Sequence, residues 1–198
     1  MQLQCASNLR QWATALHLYA NQEHGWLPRR GQGVQAVHNI DRPGDWFNAL
    51  PPMLHAPSYF DLAARHTLPR ASDGSIWSCP AVADSGPAAG AGDPPSYFFS
   101  YGMNMWLSPQ STPLPDRINR IGPWCEMVFM ADGPAGHCSV LPRVGDCNPA
   151  ARHRGRVNLC FVDGHVSAYT GSEIGCGVGD PLRIDVRWIV PNSAWSGP

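Results

Sequence analysis

At 198 residues and 43% hydrophobic content, the chain is sized for one domain and has apolar residues enough to build a core. Its formal net charge of -1 gives no electrostatic basis for nucleic-acid binding, and its 14 basic residues are all arginine, which excludes Walker-type phosphate loops and Schiff-base lysines. Twenty glycines and twenty prolines point to many turns and long irregular connections.

The first predicted element is a helix between residues 5 and 28. Leu9, Trp12, Ala13, Leu16, Tyr19 and Ala20 recur at helical spacing, and Gly25 then Pro28 stop the pattern. About 22 residues at ~1.5 Å each make a rod of about 33 Å. A loop over 29–44 leads to two short apolar-periodic segments, 45–50 and 58–65, that read as small helices, the second N-capped by Ser58. Strand-like runs follow at 75–79, 96–104, 124–131, 137–141, 156–162, 165–170 and 183–190, interrupted by a breaker-rich surface loop over 81–95. Within 156–170, Val157, Leu159 and Phe161 alternate with Asn158, Cys160 and Val162, and Asp163-Gly164 predicts a two-residue hairpin turn. A long helix followed by strands predicts an α+β fold, with the helix's apolar stripe across one face of an antiparallel sheet.

Several segments together resemble the prepilin-like proteins of the His-x9-Asp-Gly signature, relatives of the type II secretion pseudopilins. They are Cys5 to Gln11, Tyr19-Ala20, Trp26-Leu27-Pro28, Cys79-Pro80, Ser96-Tyr97, Tyr101 to Asn104, Asp132-Gly133, and His153 with Asp163-Gly164-His165-Val166. The resemblance spans most of the chain. It implies a pilin-like fold in one domain over 1–198, with the helix over 1–25, loops and short helices over 26–74, the sheet over 75–190 and a tail over 191–198.

The resemblance further implies a structural subunit of a type II secretion or type IV pilus-like assembly, not an enzyme, with its head periplasmic or extracellular. Its partners would be other pilin or pseudopilin subunits and the secretion machinery. The assembly helix would carry Leu9, Trp12, Leu16 and Tyr19. Such proteins begin with a leader and an apolar membrane helix, whereas no window of about 18 consecutive apolar residues occurs here. The expectation is therefore a chain that lacks its N-terminal membrane helix.

Two other function classes stand beside this one. Trp106, Trp188 and Trp195, in or beside breaker-rich segments, suit an extracytoplasmic ligand- or carbohydrate-binding module, while Trp12, Trp77 and Trp124 read as core. A hydrolase is the third, but no nucleophile elbow is present, and Glu23, Glu126 and Glu173 lie far apart.

The candidate chemistry is sparse. His153 and Asp163 on one straight strand would stand roughly 30 Å apart at ~3.3 Å per residue, so the signature reads as a strand entry and a turn. Seven cysteines suit an oxidising compartment. Cys138 and Cys147 are the first disulfide expected, and Cys5 either stays reduced or meets Cys79. Zinc on His137, Cys138, Cys147 and His153 lacks the paired ligand spacing of structural sites. Major pseudopilins of the resembled class bind calcium, for which Asp132, Asp146, Asp180 and the carbonyls of 133–136 are candidates, although no Asp-x-Asp-x-Asp run supplies the oxygens. No cofactor beyond calcium is expected.

Overall fold

Residues Gln2–Gln22 form the helix α1, 21 residues long. Cys5, Leu9, Trp12, Ala13, Leu16 and Ala20 are buried along one stripe, while Leu3 and Leu18 stand in solvent on the other side. The stripe that the resemblance would give to assembly (Leu9, Trp12 and Leu16, with Tyr19 partly buried) is thus taken up inside the chain. The helix ends before Pro28, because His24 (φ 52°) and Gly25 (φ 90°) turn left-handed and the Gly25 N–H closes on the Ala20 carbonyl at 2.6 Å. This computed structural model describes residues 2–32, 37–70, 73–82, 97–108, 116–143, 146–177 and 181–188.

Two short helices follow, α2 (Trp46–Ala49) and α3 (Tyr59–Ala64). As expected, Ser58 caps α3, its hydroxyl accepting the Asp61 N–H at 3.1 Å. These helices bring Trp46, Phe47 and Tyr59 against Trp12, Trp77 and Phe99, with ring centroids 5.0–5.5 Å apart in edge-on and tilted pairs such as Trp12–Trp46 and Tyr59–Trp77. The region 75–79, predicted as a strand, is instead a turn pinned to α1: Trp12 Nε1 donates to the Ile76 carbonyl at 2.9 Å, and Asn8 donates to the carbonyls of Ser75 and Ser78.

The main sheet contains β1 (Tyr101–Asn104), β2 (Val128–Asp132), β3 (Ser139–Val140), β6 (Arg156–Phe161) and β7 (Val166–Thr170), in the order β3-β1-β2-β6-β7. Two further strands, β4 (Pro142–Arg143) and β5 (Asp146–Cys147), make a separate antiparallel pair. The fold is α+β, but the sheet is mixed, not antiparallel throughout, because β3 pairs with β1 in parallel (Met103 opposite Ser139). Segment 183–190 forms no strand among the described residues. It is tied to the sheet by the bridge of Arg187 to Met127, by the Asn104 side chain donating to the Trp188 carbonyl at 3.0 Å and by the burial of Val186 and Trp188.

The alternation in β6 sorts two cores. Cys160 and Val162 face α1, whereas Val157, Leu159 and Phe161 face a second cluster capped by Ile174, Val186 and Trp188. The sheet is therefore covered on both faces. At the hairpin tip the turn is longer than the two residues predicted: the Gly164 N–H meets the Phe161 carbonyl, the Phe161 N–H meets that of His165, and only Gly164 takes a positive φ (92°). Asp163 caps this turn by accepting the His165 N–H. The predicted loop over 81–95 and the tail over 191–198 lie largely or wholly outside the described residues.

Candidate metal centre

Four residues from four separate elements converge behind the sheet. Cys5 comes from the second turn of α1, Cys79 from the turn preceding β1, Asp132 from the last position of β2, and His153 from the reverse turn that enters β6. One donor atom from each lies within 4.8 Å of all the others, and all four residues are buried. The Cys5 Sγ stands 2.9 Å from Asp132 Oδ1; His153 Nε2 stands 3.3 Å from Cys79 Sγ and 3.5 Å from Asp132 Oδ2.

Local backbone chemistry fixes each side chain. His153 is aimed inward because Arg154 (φ 56°) and Gly155 (φ 80°) are both left-handed, so that the His153 and Arg156 backbones exchange hydrogen bonds and the chain reverses into β6. Cys79 is held by its N–H donating to Ser100 Oγ at 2.5 Å, with Ser100 N–H donating to the Trp77 carbonyl. Asp132 Oδ2 accepts the Asn158 N–H at 2.8 Å across the β2–β6 ladder. The Tyr101 hydroxyl donates to Cys5 Sγ at 3.3 Å. Arg152 donates to the carbonyls of Ser100 and Gly133, and its charge acts on both Cys79 and Asp132.

The electrostatics show a site crowded with acids. The Cys5 thiol is pushed far above its ordinary range by its hydrogen bond to Cys79, by burial and by the Asp132 charge; the same hydrogen bond lowers Cys79 against the effect of burial. Burial raises Asp132, opposed by hydrogen bonds from Cys5 and Asn158. Tyr101 is raised by burial and then by Cys5. Two thiols, a carboxyl and an imidazole thus share one buried pocket with the Arg152 guanidinium beside it, an arrangement that can hold a soft or borderline cation.

The predicted ligand sets fare differently. His153 belongs to the cluster, His137 and Cys138 are not among its members, and the Cys147 side chain lies outside the described residues. Cys138 is a thiol rather than half of the expected Cys138–Cys147 disulfide: its Sγ points to the helical side, accepting the Gln32 N–H at 3.0 Å, while Cys147 lies opposite Pro142 on the separate β4–β5 pair. Cys176 is disulfide-bonded. Cys5 meets Cys79, as one of its two expected alternatives has it, but as thiol beside thiol.

Asp132 does not suit calcium. Its neighbours are two sulfurs and an imidazole, and the nearby carbonyls are already engaged, Gly133 by Arg152 and Gly136 by the Val37 N–H. Asp180 lies outside the described residues, as does the Asp146 side chain. Asp163 stays at the exposed hairpin tip, paired with His165 at 2.7 Å, so the signature His and Asp serve different places, as strand geometry predicts.

Among the tryptophans, Trp12 and Trp77 are core. Trp188, expected to reach solvent, is also buried and donates to the Ile174 carbonyl at 2.9 Å. Trp124, expected in the core, is partly exposed beside His17, and Trp195 lies outside the described residues. A surface depression between α1 and the 54–77 segment is lined mostly by apolar residues, with Gln11, Thr67 and Ser75 among them and Asp73 its one ionisable group.

Cys5, Cys79 and Asp132 escape a reading by spacing, because positions scattered from 5 to 153 leave no local pattern. All four residues nevertheless fall within the segments on which the pilin-like resemblance rests. No family model, curated protein or solved structure matches the chain. No described helix is long and apolar enough to cross a membrane.

Proposed function

We propose that this chain is the globular head of a pilin-like structural subunit, which works by packing against like subunits in a secretion or filament assembly of the cell envelope. The observation that carries the reading is the disposition of α1. It leads the chain, spends one stripe on the sheet, and turns the opposite side, with Leu3 and Leu18, to solvent. A helix so placed has a face left for neighbours, and two apolar side chains on it supply contact area.

The buried cluster supports a structural rather than a catalytic role. Its four residues are buried beneath α1, largely out of contact with bulk solvent. In this reading the head is anchored through an upstream apolar helix continuous with α1.

The test is site-specific photocrosslinking of the full-length protein in its native bacterium. A crosslinker at position 18 is expected to yield adducts with pilin-like subunits in the envelope fraction, while one at the exposed position 65 on α3's flank yields few. Monomer alone at position 18, or a wholly cytosolic protein, would sink the reading.

A further inference from the structure

Zinc is held in structural sites by four thiolate, imidazole and carboxylate ligands at about 2.0–2.3 Å, so tetrahedral geometry places ligand atoms about 3.3–3.8 Å from one another. In this chain the separations are 2.9 Å (Cys5 Sγ to Asp132), 3.3 Å (Cys79 Sγ to His153) and 3.5 Å (Asp132 to His153), with all pairs inside 4.8 Å. A small outward adjustment of Cys5 opens the centre for an ion. Calcium and magnesium demand oxygen ligands and do not match two sulfurs. A solvent-filled catalytic position is also missing, since all four ligands come from the protein and are buried.

We propose that Cys5, Cys79, Asp132 and His153 bind one zinc ion through Cys5 Sγ, Cys79 Sγ, an Asp132 oxygen and His153 Nε2. The inference stands on this geometry and does not depend on the assembly reading. Binding replaces the two thiol protons, which leave to solvent as the zinc–sulfur bonds form, and the imidazole binds in its neutral form. Two thiolates and a carboxylate around Zn2+ leave one net negative charge, which Arg152 meets. Outer contacts are already in place: the Asn158 N–H on Asp132, and the Tyr101 hydroxyl on Cys5.

The ion joins the start of α1, the turn before β1, the end of β2 and the entry to β6. These elements are otherwise linked by packing and a few hydrogen bonds. Zinc therefore acts as the fastener of helix to sheet, doing for this domain what a disulfide between Cys5 and Cys79 would do less completely.

Tag-free protein, purified without chelator, is expected to carry one zinc per chain by mass spectrometry of metals. Stripped protein titrated with zinc alone should gain thermal stability up to one equivalent and no further, whereas calcium leaves the midpoint unmoved. Cobalt in place of zinc should give the intense visible bands of a tetrahedral site together with a thiolate charge-transfer band. Cys79→Ser and His153→Gln should lose stoichiometric metal, Tyr101→Phe should weaken zinc by roughly 10- to 100-fold, and Cys125→Ser, at an exposed thiol, should retain it. If a ligand variant fails to fold, the wild-type titration and cobalt spectrum decide. Metal-free protein whose midpoint ignores zinc, a six-coordinate cobalt spectrum without thiolate bands, or a Cys5–Cys79 disulfide recovered from the native protein would each overturn the proposal.

Discussion

Asp45 is buried with neither carboxylate oxygen receiving a hydrogen bond, and its nearest charge is Arg29 Nε at 3.6 Å. Burial raises its pKa against the opposing pull of Arg42 and Arg29. The folded chain therefore holds this proton more tightly than the unfolded chain does. Over a window that opens at the ordinary value of 3.8 and extends upward, the native state binds more protons, and stability falls as pH rises. Asp45→Asn removes that dependence: its melting temperature relative to wild type should climb by a few degrees as pH is raised through the window. A difference that stays flat from pH 3 to pH 8 would mean the carboxylate is compensated. At this scale little of the candidate site was legible. His153 and Asp132 were singled out, but for zinc and calcium sets with other partners, and Cys5 with Cys79 only as one alternative; that the four form one buried donor cluster shows only when three-dimensional folding makes them neighbours.

At the scale of elements, the parallel pairing of β1 and β3 depends on a missing side chain. A Cβ at Gly102 would sit 2.7 Å from Val140 Cγ1 and 2.9 Å from the Ser139 carbonyl carbon. Gly102→Ala should therefore push β3 away from the sheet and cost about 1–3 kcal/mol. Gly44→Ala, where the nearest atom is the flexible Arg29 Cδ at 3.4 Å, should be nearly silent. Equal melting points for the two variants would show that β3 docks loosely. This close approach explains why an antiparallel sheet was the natural expectation: Ser139–Val140 is too short to announce a direction, and its placement is set by tertiary contact with Gly102 and Gly133. Where local pattern and burial agree, as in α1, α3 with its Ser58 cap and the β6–β7 hairpin, the elements were readable. The runs at 75–79 and 183–190 have strand-like composition but bond to α1 and, through Arg187, to Glu126 and Val128 instead, and only long-range hydrogen bonds decide that.

Taken whole, the molecule is a sheet between two unequal cores. One is the large aromatic cluster beneath α1, and the other is a smaller cluster whose cover is supplied by the segment from Ile174 to Trp188. That cover has few residues, so each carries much of it. Trp188 is buried, its indole N–H meets the Ile174 carbonyl at 2.9 Å, and its own carbonyl accepts from Asn104 at 3.0 Å, while Arg187 pairs with Glu126 at 2.5 Å and bridges to the strand-entry residue Met127. Removing the ring uncovers Val128, Leu159 and Phe161 on the far side of the sheet and leaves the Ile174 carbonyl without its indole donor. Trp188→Ala should cost about 3–5 kcal/mol, a fall in melting temperature of about 10 °C for a chain of this size. Trp26→Ala is the comparison, because Trp26 is 40% exposed and its described ring contact is the Arg117 guanidinium at 4.3 Å. It should cost no more than about 1 kcal/mol. If Trp188→Ala melts within two or three degrees of Trp26→Ala, the second core does not contribute to cooperative folding, and the sheet is stabilised from the α1 side alone.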